Sequence, residues 1–429
     1  MRGSKCSPFR RFGFATAGGL SLFFCVVTAI ASPAQVTVFR SLASFNGTDG
    51  ASPGNMSLVL GADGSLYGTT LFGGTNNSGT VFRITPSGEL SALYSFCAQP
   101  GCTDGSLPNA SLVLGNDGNF YGTTSGGGAY LYYGTVFKIT PEGTLTTLHS
   151  FQAYPTDGDG PVAGLVQGSD GNFYGTTELR GSGTFGTVFK VTLSGALTTL
   201  YNFSNYAHGW YPYAGLVQGS DGNFYGTTFA GGEHTYGTIV KITPSGQLTT
   251  LYSFCAQPGC IDGSGPWAGL VQGSDGNFYG TTYNGGAGSV GVVFKLTSAG
   301  GLTTVHSFCV QSGCPDGEQP YASLVQGRDG SFYGTTSYGG AYTANGTVFK
   351  ITPSGALTTL FSFDGNDGSS PWGGLVQAPN GTLYGTTNGG SSNLGSVFSL
   401  LVVHSCATCS GVVGDAISNS NASASQSRE

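Results

Sequence analysis

Short apolar runs, separated by glycine-rich turns, recur along almost the whole chain. One copy reads Gly269-Leu270-Val271-Gln272, the turn Ser274-Asp275-Gly276, then Phe278-Tyr279-Gly280-Thr281-Thr282. A glycine-rich variable loop follows. The copy continues with Val292-Val293-Phe294-Lys295-Leu296-Thr297, the turn Ser298-Ala299-Gly300-Gly301 and Leu302-Thr303-Thr304-Val305-His306-Ser307-Phe308. Runs rich in β-branched and aromatic residues and bounded by Gly, Asp and Ser predict strands, and the Asp-Gly turn predicts antiparallel pairing. Each copy is therefore expected to hold four strands.

The tyrosine of the second strand recurs at Tyr67, Tyr121, Tyr174, Tyr225, Tyr279, Tyr333 and Tyr384, with spacings of 54, 53, 51, 54, 54 and 51 residues. A fixed period of this size marks one supersecondary unit stacked on its neighbours, and four strands in each unit of roughly 50 residues predict a β-propeller blade. Phrases such as Val-Phe-Lys-Ile-Thr are apolar on both faces of the strand, as in a sheet sandwiched between two others. The glycines inside the second strand (Gly68, Gly122, Gly175, Gly226, Gly280, Gly334 and Gly385) predict close approach of an adjacent blade.

The two ends of the array complete each other. The last copy stops after a third strand, Ser396 to Val402, and an unpartnered strand, Val36 to Phe45, precedes the first copy. If the N-terminal strand joins the last blade, the ring closes and the sheet edges that invite aggregation are covered. The expected fold is an all-β, seven-bladed propeller over residues 36–402, with 403–429 as a flexible, Ser/Asn-rich tail.

Composition agrees. Charged residues make up only 8% of the chain, aromatics 12%, and glycines number 76 of 429, the opposite of a disordered profile. Arg2, Lys5, Arg10 and Arg11 precede an apolar run from Phe12 to Ala31 that ends in Ala29-Ile30-Ala31. That pattern predicts a secretory signal peptide over 1–31, removed from the mature chain and leaving no membrane insertion. Without it, 10 basic residues face 21 acidic ones, a net charge of about −11 that argues against nucleic acid as a partner. The expected product is a monomer, secreted or at the cell surface, with the periplasm also open.

Cysteine usage fits an oxidising compartment. Three loops repeat one spacing: Cys97 to Cys102, Cys255 to Cys260 and Cys309 to Cys314. Each pair predicts a local disulfide stapling an insertion, and Cys406 with Cys409 is expected to form a fourth. Zinc would need further ligands nearby, so no metal is expected.

The phrases Asp-Gly-Asn-Phe-Tyr-Gly-Thr-Thr, Gly-Thr-Val-Phe-Lys-Ile-Thr-Pro-Ser-Gly and Leu-Thr-Thr-Leu-Tyr-Ser-Phe resemble the GloVer-type tandem repeat of exported bacterial proteins with varied C-terminal anchors. The resemblance runs from Val36 to about Val402, and more distantly the strand order is similar to NHL-type propellers. It implies export and a repeat architecture. It brings no catalytic residues and no cofactor, and the sequence after Val402 is not expected to form an apolar anchor helix followed by basic residues.

The repeat-equivalent aspartates (Asp63, Asp117, Asp170, Asp221, Asp275, Asp329) and cations (Arg83, Lys138, Lys190, Lys241, Lys295, Lys350) read as turn chemistry and local pairing rather than calcium or polyanion sites. In a propeller blade the loops between strands two and three and between strand four and the next strand one share a face. Those loops are the long, variable ones, and recognition usually sits there. They carry Trp210, Tyr211, Tyr213, Trp267, Tyr321, Trp372, Tyr132 and Tyr133, suited to stacking on a sugar or docking a protein. The expected function is non-catalytic binding of a glycan or protein at this face. One alternative is a carbohydrate-active enzyme using Glu178 and Glu233 with His208 or His234, since a glycosidase needs two facing carboxylates. The other is a purely structural surface protein.

Overall fold

The computed structural model describes residues 35–404, except 55, 153–156, 183–184, 343 and 391–392. The leader, the tail beyond His404 and the Cys406/Cys409 pair lie outside the described residues. Residues 36–403 form one compact unit, and among the described residues no helix is long and apolar enough to cross a membrane.

Seven four-stranded sheets follow one another, six of them in chain order. In the fifth blade the strands are Val271–Gln272, Phe278–Thr282, Val292–Leu296 and Leu302–Ser307, all antiparallel. The first strand pairs over only two residues. Just before it, the Gly269 N–H donates to Ser323 Oγ of the next blade at 3.0 Å, so the chain is already engaged sideways around the ring.

The seventh sheet has the order Gln35–Ser44, Ser396–His404, Leu383–Thr387, Val376–Gln377. The N-terminal strand is therefore its outermost member, as the two incomplete ends predicted. Phe39 on this strand stacks on Phe361 of the sixth blade at 4.0 Å, which ties the closure into the inter-blade core.

That core lies between blades. Five of the seven second-strand tyrosines pack on the second-strand phenylalanine of the next blade, at centroid distances of 4.2, 4.0, 3.9, 4.0 and 4.1 Å from Tyr67–Phe120 through Tyr279–Phe332, while Tyr333 and Tyr384 meet Leu383 and Leu66. The hydroxyl of the same tyrosine reaches the turn aspartate. Tyr279 donates to Asp275 Oδ2 at 2.9 Å, and Lys295 Nζ bonds the same oxygen at 2.8 Å. Comparable ion pairs form at Asp63–Arg83, Asp117–Lys138, Asp221–Lys241 and Asp329–Lys350, so these rings build the turns.

A second inter-blade clasp uses the glutamine ending the first strand. Gln167, Gln218, Gln272, Gln326 and Gln377 each accept from a turn N–H of the preceding blade at 2.8–3.1 Å. Leu60 and Leu114 stand in its place in the first and second blades.

One expectation is corrected. The second-strand glycines make room for side chains of their own blade rather than for the adjacent one. A Cβ on Gly280 would lie 2.6 Å from Phe294 Cζ and 2.9 Å from Leu270 Cδ2, both in the fifth blade. The cause is register: Gly280 pairs directly with Phe294, whose ring folds back over the missing side chain.

The disulfides Cys97–Cys102, Cys255–Cys260 and Cys309–Cys314 are formed, as their spacing predicted.

Candidate functional site

Two positions per repeat vary while their neighbours stay constant. One follows the proline that leads into the first strand: Asn109, Val162, Tyr213, Trp267, Tyr321 and Trp372 in blades two to seven. The other follows the Thr-Thr of the second strand: Leu71, Ser125, Glu178, Phe229, Tyr283, Ser337 and Asn388.

The backbone holds both positions the same way in every blade. The residue before the proline (Ser52, Leu107, Gly160, Tyr211, Gly265, Gln319, Ser370) has φ between 51° and 63°. Non-glycine residues seldom adopt that conformation, and fewer still before proline. Here it lets the carbonyl accept the N–H of the variable residue after Thr-Thr, at 3.0–3.2 Å in all seven blades. The two variable side chains of a blade are thus fixed side by side on a rigid scaffold.

Around the ring they interleave. Phe229 of the fourth blade lies 5.7 Å from Tyr213 and 4.8 Å from Trp267 of the fifth, and Tyr283 lies 5.9 Å from Tyr321. The rings continue as Trp210–Tyr211 at 5.5 Å, Tyr211–Tyr213 at 5.7 Å, Tyr213–Trp267 at 4.5 Å, Trp267–Tyr321 at 4.8 Å and Tyr321–Trp372 at 5.9 Å. Six of the eight aromatic candidates therefore form one continuous arc. Tyr132 and Tyr133 stand apart from it: Tyr132 is 74% exposed, and Tyr133 packs on the core beneath Arg180.

A pocket of about 310 Å³ opens where the arc meets the starts of the first strands. Tyr213, Trp267 and Tyr321 line it, and Glu178, Asn109, Ser57 and Ser111 supply polar groups. Below these side chains lie small residues, including Ala163, Gly164, Ala214 and Gly215. The blades nearly touch there, since a Cβ on Gly215 would sit 2.8 Å from the Gly164 carbonyl oxygen.

The arc differs from a surface of free ring faces. Its members are half-buried, and Trp267 has a neighbouring ring on each side, at interplanar angles of 22° and 37°. Ring faces turned toward one another in this way are partly covered by their neighbours.

Glu178 is the only ionisable acid or base, phenols aside, among the lining residues. Burial raises its pKa above the usual carboxylate range; the Tyr213 hydroxyl, hydrogen-bonded to it, opposes the shift, and the charge of Asp159 adds to it. Asp159 is likewise raised by burial, against the pull of Arg180, whose Nε lies 3.1 Å from its Oδ2. The other members of the proposed acid–base group lie outside the pocket lining. Glu233 is exposed, with its N–H donating to Ser253 Oγ, and His208 Nδ1 is 3.0 Å from Thr250 Oγ1. His234 is half-buried in the same loop as Glu233.

Phe229 and Tyr283 back the arc without having been singled out from the sequence. The signal that finds them is the alternation of constant and variable positions between copies.

Residues 26–206 and 163–398 match the Gloeobacter/Verrucomicrobia repeat family. Among curated proteins, no relative matches the chain. Among solved structures, the chain is similar to a protein of B. thetaiotaomicron described as the extracellular domain of a hybrid two-component system, at 11% identity and a TM-score of 0.55, covering 84% of this chain and 39% of that one. A second extracellular domain from the same organism is similar at 14% identity and a TM-score of 0.52, covering 84% and 40%. A protein of Bacteroides uniformis described as a 6-phosphogluconolactonase is similar at 18% identity and a TM-score of 0.49, covering 74% and 85%. The chain thus spans about two fifths of the first two, and likeness at these identities is one of fold.

Proposed function

The chain belongs to the Gloeobacter/Verrucomicrobia repeat family, and we propose that it is an exported, non-catalytic binding propeller whose axial pocket holds a sugar unit of a glycan. The observation that carries this reading is the pocket's mixed aromatic and polar lining. Tyr213, Trp267 and Tyr321 supply an aromatic wall, and Glu178, Asn109 and Ser111 supply acceptors and donors.

A sugar ring has both kinds of surface, with hydroxyls that donate and accept around an apolar ring. The pocket volume of about 310 Å³ is at the small end of the ~300–1,000 Å³ typical of small-molecule sites. A protein partner would instead favour a broader hydrophobic patch with anchoring side chains that project from it. Glycoside hydrolysis would need a second carboxylate facing Glu178 across the pocket, whereas Glu233 is exposed and both Glu233 and Asp159 lie outside the pocket lining. The leader pattern over 1–31 is what supports export.

The test is a glycan array probed with mature protein and with a Trp267→Ala, Tyr321→Ala double variant checked for native far-UV circular dichroism. Selective binding by the wild type that the folded variant loses is the expected result. Binding that survives in the variant would place the site elsewhere. No binding by the wild type would turn the search to a protein partner or a structural role.

A further inference from the structure

We propose that the axial pocket selects a sugar carrying a free amino group, whose ammonium donates to the Glu178 carboxylate; this rests on the glycan reading above. The pocket lining holds one carboxylate and no Lys, Arg or His among the described residues. Asp159 adds a second negative charge close enough to act on Glu178. The cation two residues along the chain is already engaged, since Arg180 pairs with Asp159 at 3.1 Å and lies over the Tyr133 ring at 5.6 Å.

Glu178 is therefore a half-buried carboxylate that accepts from the Tyr213 hydroxyl and has no ion-pair partner among the described residues. A carboxylate removed from water is unfavourable unless paired, and it can accept roughly four hydrogen bonds. An ammonium entering the pocket would meet both needs with short, charge-assisted bonds. A neutral hydroxyl meets the second need only. An acidic sugar meets neither and brings a like charge towards Glu178, on which Asp159 already acts.

N-acetylation provides the discriminating comparison because it removes the charge and leaves the sugar skeleton. Isothermal titration of the full chain would compare a glucosamine oligosaccharide with its fully N-acetylated counterpart, in slightly acidic buffer where the amine is charged. The expected result is about tenfold tighter binding of the free amine, in line with a hydrogen bond to a charged group. Glu178→Gln keeps an oxygen for the Tyr213 hydroxyl but no charge, and should bring the two oligomers to equal affinity by removing the advantage of the free amine. Equal binding by the wild type, or a preference unchanged in Glu178→Gln, overturns the inference and leaves the glycan reading standing. Binding of neither oligomer, nor of any array glycan, overturns both.

Discussion

At the scale of the residue, Asp275 shows how one side chain organises a turn. Its Oδ2 accepts from Tyr279, Asn277 and Lys295, and its Oδ1 from the Asn277 N–H. Burial alone would raise the pKa of such a group, but these hydrogen bonds outweigh it. The same balance holds Asp63, Asp117, Asp170, Asp221 and Asp329 below the ordinary carboxylate range. The sign of the consequence is definite. A carboxylate with a depressed folded-state pKa stabilises the fold above its unfolded pKa, ~3.9 for Asp, and loses that contribution as pH falls through the folded value. Six copies acting together should make thermal stability fall below roughly pH 4. Asp159 and Glu178 act the other way, because their raised values mean that ionisation costs the folded state. Melting temperatures across an acid series would check this. A triple Asp117→Asn, Asp221→Asn, Asp275→Asn variant should show a shallower acid limb, and a limb of unchanged steepness would refute the assignment.

At the scale of the element, the second strand is shaped by what its glycine omits. In the fifth blade the space over Gly280 is taken by Phe294 and Leu270. In the fourth blade Val240 replaces the phenylalanine, and a Cβ on Gly226 would meet only Leu216, at 2.7 Å. Gly280→Ala should therefore cost about 1–3 kcal/mol by overpacking, and Gly226→Ala distinctly less. Denaturant midpoints of the two variants would test the difference, and equal shifts would show that the phenylalanine is not what sets the requirement. The strands themselves were legible because their chemistry is local: β-branched and aromatic residues between turn formers announce a strand wherever it packs. The glycine's true neighbour was not legible. It depends on cross-strand register, which places Phe294 opposite Gly280 and is decided by the sheet as a whole.

At the scale of the whole molecule, the N-terminal strand closes the ring by joining Ser396–His404. This closing region is also where the repeat is least regular. Leu60 replaces the glutamine clasp of the first blade, and Thr386 Oγ1 is buried without a partner. Equivalent threonines elsewhere bond the carbonyl leading into the next blade, as Thr227 does with Ala268 at 2.9 Å. The first blade has an extra residue at that point, Gly54. On the Gln35–Ser44 strand Leu42 and Ala43 pack into the cluster shared with Leu58, Phe82 and Ile84 of the first blade, while Phe39 faces the sixth, so this strand ties the seventh blade to both neighbours. Deleting residues 35–44 should lower the melting temperature and produce concentration-dependent association through the uncovered edge. Light scattering and thermal unfolding would report it, and a monomeric deletion variant of unchanged stability would contradict the closure argument.

Repetition is why so much of this architecture could be read from the chain. Seven copies of one phrase determine the blade, its four strands and the number of blades, and two complementary incomplete ends determine how the ring closes. The loop disulfides follow from spacing alone, because five residues of separation keep the two cysteines near each other in any compact loop. The site follows a different logic. Tyr213, Trp267 and Tyr321 are about 54 residues apart in sequence, and Glu178 precedes the first by 35. Only the rotation from blade to blade brings them around one axis, and only that rotation stacks Tyr213 on Trp267 and Trp267 on Tyr321. Contacts within a strand or turn depend on neighbouring residues and are written in them, whereas contacts across the ring depend on the angle between blades, which no single copy contains.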